Sequence, residues 1–149
     1  SDIPRWIADQ LVRHNIGVQP FMGTQREDRG NKSRKELSQE EPTELKLSMN
    51  AQAFLNISKE RLCVGCVSKE TRKLWERIVK EVTIKEPELG FYCVPNCIYR
   101  CGCKEFKPCK MFKDFKEFCS NFISVERLLD IDDRYSYYHK WRGSDGIIQ

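Results

Sequence analysis

Apolar side chains recur at helical spacing in two places in the second half of the chain. Leu74, Trp75, Ile78, Val79 and Val82 fall on one face of a predicted helix, with Ser68 placed to cap it and Glu70 in its first turn. Thr83 and Ile84 are read as running on into a short strand that Pro87 and Gly90 bring to an end. A second helix is predicted from Pro108 over roughly 109–129. Its inner face is Phe112, Phe115, Cys119, Phe122, Val125 and Leu129, with Lys110, Lys113 and Lys116 turned away. Near the start, Trp6, Ile7 and Leu11 share a face of a helix over 4–14, with Asp2 as cap, Pro4 in the first turn and Gly17 as terminator. Strict alternation is weaker: Leu45, Leu47 and Met49 predict one strand, and Phe91 to Val94 reads as another. The aromatic tail, with Tyr135, Tyr137, Tyr138 and Trp141, is expected to pack back on the core.

Between these segments, the run from Thr24 to Glu44 has Leu37 as its one aliphatic residue. It buries too little to offset its ordering entropy and is read as a linker. The expected organisation is an N-terminal helix in 1–20, a polar linker over 21–44 and a cysteine-rich globular domain over 45–149. The fold class that follows is α+β: two main amphipathic helices and short strands in a small, zinc-stabilised domain. The polar run also accounts for much of the charged fraction of 32%. No stretch reaches the roughly 18 apolar residues of a membrane span, and no basic-then-apolar leader opens the chain.

Eight cysteines change the picture most. Cys63-Val64-Gly65-Cys66 is a tight turn followed at once by a helix, an arrangement that lets two sulfurs face one ion. Cys93, Cys97, Cys101, Cys103, Cys109 and Cys119 crowd into 27 residues. All eight together would fill two four-cysteine zinc sites, with His139 the better placed of the two histidines to take part. Disulfides are the alternative, since the count is even and two glycan acceptor sequons, at Asn31 and Asn56, would suit a secreted ligand or effector. The Cys101-Gly102-Cys103 spacing counts against a local bridge. Zinc implies a reducing cytoplasmic or nuclear setting, and disulfides imply secretion.

Charge is spread unevenly. The net +4 accumulates between residues 91 and 119, which hold six basic and three acidic side chains. Arg100, Lys104, Lys107, Lys110 and Lys113, continued by Lys116, are candidate nucleic-acid contacts, with Tyr99, Phe106 and Phe112 among them as candidate stacking partners. A three-residue repeat drifts around a helix, so these lysines are expected to fan out. The expected partner is RNA ahead of DNA, or an acidic protein surface. No membrane partner and no small-molecule substrate is indicated. There is no phosphate-binding glycine loop, GxSxG or HExxH motif, and catalysis is not expected.

Three resemblances bear on these alternatives. Cys93/Cys103 and Cys109/Cys119 each enclose nine residues, a spacing that resembles the disulfide-stapled helical hairpins of the mitochondrial intermembrane space. That family carries both pairs on helices, whereas Pro95, Gly102 and two further cysteines fall within the first pair here. Asn96-Cys97 with His14 or His139 resembles the histidine and Asn-Cys pair of the H-box/NC thiol enzymes and virus proteins, which would imply a cysteine-dependent enzyme with Cys97 as nucleophile. The terminal Ser1 and Gln149 are similar to the junctions cut by chymotrypsin-like proteases of positive-strand RNA viruses. They imply a viral accessory or polyprotein-derived factor, although removal of a tag leaves the same serine.

Overall fold

A computed structural model describes residues 2–14, 16–22 and 42–144. It is mixed α and β, and it divides into two compact units, residues 1–54 and 55–149. The boundary falls inside a helix rather than at the polar run, whose residues 23–41 lie outside those described.

The first unit is built on a three-stranded antiparallel sheet of order β1-β3-β2, comprising β1 (Asp2–Pro4), β2 (Val18–Met22) and β3 (Pro42–Met49). The alternation along β3 is real: Thr43, Leu45, Leu47 and Met49 are covered, while Glu44, Lys46 and Ser48 face solvent. The helix expected over 4–14 is shorter, α1 at Arg5–Leu11. Asp2, Ile3 and Pro4 pair instead with Glu44, Thr43 and Pro42, and Pro4, in an extended conformation, takes the N-cap position. Gly17 adopts φ +71°, and a Cβ there would lie 2.9 Å from the Asn50 side chain. Asn50 caps α2 (Ala51–Arg61), its Oδ1 accepting from the Ala53 N–H at 2.8 Å.

The second unit is helical. Ser68 caps α3 (Lys69–Lys85) as expected, accepting from the Thr71 N–H at 3.3 Å. Thr83 and Ile84 remain in this helix rather than forming a strand. Only Trp75 of the expected stripe is fully buried, and its Nε1 donates to the buried Ser58 Oγ at 3.0 Å. Phe91 to Val94 is not a strand either. Pro87 opens α4 (Pro87–Phe91), and Pro95 then leads into α5 (Asn96–Tyr99).

The long helix over 109–129 is interrupted. It becomes α6 (Met111–Ser120) followed by a 3-10 turn (Glu126–Leu129). Ser120 Oγ and Asn121 Nδ2 both donate to the Glu117 carbonyl, at 2.7 and 3.3 Å, competing for the acceptor that a continuing helix would use. Phe122, Val125 and Leu129 are consequently exposed, and Ile123 and Leu128 take their places in the core. The aromatic tail packs as expected: α7 (Ile131–Ser144) buries Tyr135, Tyr138 and Trp141, with Trp141 5.7 Å from the Phe115 ring. None of the described helices is long and apolar enough to cross a membrane.

Candidate metal centre and basic groove

Helices α2 and α3 present the Cys63–Cys66 turn between them. Leu62 and Cys63 close α2 on the carbonyls of Ser58 and Glu60, and the Ser68 cap opens α3 five residues after Cys63. The two sulfurs lie 2.8 Å apart, thiol against thiol, and either can donate. Gly65 admits Cys109 to this turn: a Cβ on Gly65 would sit 3.3 Å from the Cys109 Cβ and 3.6 Å from its sulfur. Cys97, buried in the first turn of α5, completes the group. Burial first, and then Cys63, Cys109 and Cys103, push its thiol up to about 12. Burial and bonds to Cys63 and Glu105 likewise push the Cys66 thiol up.

Five cysteines therefore share one locus: Cys63, Cys66, Cys97, Cys103 and Cys109. The other three lie elsewhere. Cys101 and Cys119 interact with each other, burial and Cys101 pushing Cys119 up to about 11, and Cys101 points its sulfur at the Leu128 carbonyl, 3.6 Å away. Cys93 donates to the Leu89 carbonyl at 3.3 Å and also bonds Ser58. The described residues thus do not sort the eight into two sets of four. Nor do any three His, Cys, Asp or Glu side chains among them already converge as a finished metal cage.

Glu60, which sequence reasoning missed, ties the three cysteine-bearing segments together. Its Oε1 accepts from Asn96 Nδ2 at 2.8 Å, beside Cys97, and both of its oxygens accept from Lys104 Nζ at 2.8 Å, beside Cys103. Both partners are far off in sequence, so no local pattern announced this role. Lys104, expected as a free cation, is held here, and the bond from Glu60 raises its affinity for the proton.

Cys97 is poorly suited to be a nucleophile. Its thiol is buried among other thiols, which disfavours the thiolate, where activation needs a cation or a base. Asn96 is engaged with Glu60, and His139 Nε2 bonds the Phe91 carbonyl at 2.8 Å. His139 Nε2 thus meets α4, and His14 belongs to the first unit. Of the two sequons, Asn31 lies outside the described residues. Asn56 is on α2, with its Ser58 wholly buried beneath Trp75.

Beside the cysteine group runs a groove of about 650 Å³ between the 103–109 segment and α6. Pro108 and Phe112 supply its apolar wall, and Cys103 and Cys109 line one end. Lys110, Lys113 and Lys116 stand along it, opposed by the one carboxylate of Glu117. The lysines expected to fan out are thus partly gathered, because the 103–109 segment folds back along the short helix. Lys107 and Arg100 are exposed outside the groove, and Phe106 is 98% exposed, flanked by Glu105 and Lys107. Tyr99 is exposed but has one ring face taken by Lys59, whose Nζ lies 3.8 Å from its centre.

Compared with protein-family models, curated proteins and solved structures, the chain matches none of them.

Proposed function

We propose that the second unit is a zinc-supported binding module that takes single-stranded RNA along the groove walled by Pro108 and Phe112. The observation that carries this reading is the row of Lys110, Lys113 and Lys116 along one apolar-walled groove. Ammonium groups at that rim neutralise successive phosphates and release counterions. The bare ring of Phe106, the most exposed large apolar side chain described, offers a base a stacking face. An acidic protein would need the lysines but has no use for that ring, and this favours RNA. Arg100 and Lys107 extend the positive surface, while Lys104 is paired with Glu60.

The test is fluorescence anisotropy of a labelled single-stranded RNA across a salt series. Lys110→Ala, Lys113→Ala and Lys116→Ala together are expected to weaken binding at least about tenfold and to flatten the log–log salt slope by about 2. Phe106→Ala is expected to weaken it by about 1–3 kcal/mol. Unchanged affinity and slope in the triple variant would sink the proposal. An acidic peptide that outcompetes RNA and ignores Phe106 would put an acidic protein in its place.

A further inference from the structure

The five-cysteine locus admits a sharper statement than zinc support in general. We propose that Cys63, Cys66, Cys97 and Cys109 bind a single zinc ion, leaving Cys103 as a free thiol at the end of the groove. This rests on the zinc-supported reading and deepens it by naming the ligands and reducing the expected two ions to one.

The placement of each sulfur supports the assignment. Cys63 and Cys66 already face each other across the turn. Gly65, having no side chain, leaves the space above the turn that Cys109 fills. Cys97 approaches from α5 within the buried cluster against which Cys109, and Val64 of the Cys63–Cys66 turn, are packed. Cys103 lines the groove and is not among the side chains packed on that cluster, so it is the one left over. Glu60 holds the segments on which these cysteines sit through contacts that need no metal.

The movement needed at the Cys63–Cys66 turn is small. Sulfurs bound to one zinc at about 2.3 Å in a tetrahedron stand roughly 3.8 Å apart. The Cys63–Cys66 pair is 2.8 Å apart, so the ion would open it by about an ångström and draw the other two inward. On binding, each of the four thiols gives its proton to solvent, and four thiolate–zinc bonds replace the thiol–thiol contact. Nothing is oxidised or reduced.

The experiment uses the reduced full chain. Native mass spectrometry after addition of zinc is expected to show one ion, and cobalt(II) titration is expected to give the visible bands of a tetrahedral thiolate site. Cys63→Ser, Cys66→Ser, Cys97→Ser and Cys109→Ser should each weaken zinc binding at least about 100-fold. The same change at Cys93, Cys101, Cys103 or Cys119 should alter it by less than about threefold. Because a ligand variant can lose its fold along with its metal, Cys97→His and Cys109→His serve as a second set. Each should keep one cobalt ion, with sulfur-to-metal absorbance reduced by one thiolate. Two zinc ions, loss at Cys103→Ser with retention at Cys97→Ser, or undiminished absorbance in the histidine variants would each overturn the assignment. A chain that takes no zinc would overturn it too, while the anisotropy measurement decides the RNA reading separately.

Discussion

Arg134 is the residue whose removal should most disturb the second unit without touching a cysteine or the groove. Only 4% of it is exposed, and its guanidinium donates to the ends of two helical segments. Nε reaches the Ile98 carbonyl at 2.6 Å and Nη2 the Tyr99 carbonyl at 3.0 Å, closing α5. Nη1 reaches Leu128 and, at 3.1 Å, Leu129, closing the 3-10 turn. These carbonyls lie at the negative ends of backbone dipoles, and although the Ile98 oxygen also accepts from the Cys101 N–H, a buried cation is stabilised there without a carboxylate. Two of the bonds, to Ile98 and Leu128, are fully buried, and at about 1.5–3 kcal/mol each they total roughly 3–6. Methionine also removes the cost of burying the charge, which offsets part of that loss. The expected net destabilisation of Arg134→Met is therefore about 2–4 kcal/mol. Urea denaturation followed by far-ultraviolet circular dichroism should show the midpoint falling by roughly 1–2 M. Lysine keeps the charge but lacks the fork and should recover only part of the loss. Arg127, whose ion pair with Asp133 lies at the surface, supplies the contrast: Arg127→Met should leave the midpoint almost where it was. If Arg134→Met shifted the midpoint no more than Arg127→Met, the claim that Arg134 ties the two helix ends together would be wrong.

Other consequences follow from single contacts. Gly90 packs so closely on α3 that a Cβ would fall 2.6 Å from the Thr83 Cβ, so Gly90→Ala should cost about 1–3 kcal/mol. Thr83→Ala should restore only part of this, because the Cβ stays, and thermal melts of the single and double variants measure both effects. Since Cys109 immediately precedes Lys110, stripping zinc with a chelator should loosen the groove and weaken RNA at least about tenfold, with recovery on adding zinc back. RNA affinity indifferent to the chelator would show that the metal and the groove are independent.

What the sequence made legible was local. Ser68 announced the start of α3 because a cap and the N–H it satisfies are three residues apart. The alternation in β3 and the burial of Tyr135, Tyr138 and Trp141 were likewise carried by close spacing. The misreadings came from local competition. Ser120 and Asn121 stop α6 although the apolar pattern runs on past them; β1, by contrast, forms by pairing with β3, some forty residues away, where no local pattern announces it. In α2 the buried apolar face is short, Ala53, Phe54 and Ile57, and the Asn50 cap that starts the helix was overlooked beside the nearby strand pattern.

The grouping of the cysteines shows most clearly where reading by proximity fails. Cys97, Cys101 and Cys103 look like one close set along the chain, yet they part at the end of α5. Cys101 takes φ +55°, the left-handed conformation, with its N–H on the Ile98 carbonyl and that of Gly102 on the Cys97 carbonyl at 2.9 Å. This closing turn reverses the chain within two residues. Cys101 is left facing Leu128 and Cys119, and Cys103 is carried back toward Cys97 and the groove. A glycine would be the usual residue at such a turn, and here it comes one position later, at Gly102. Which thiols fall on the same side of the turn depends on which residue of that pair takes the positive φ. Spacing alone does not encode that choice, so eight evenly countable cysteines suggested two equal sites where the fold assembles five, two and one.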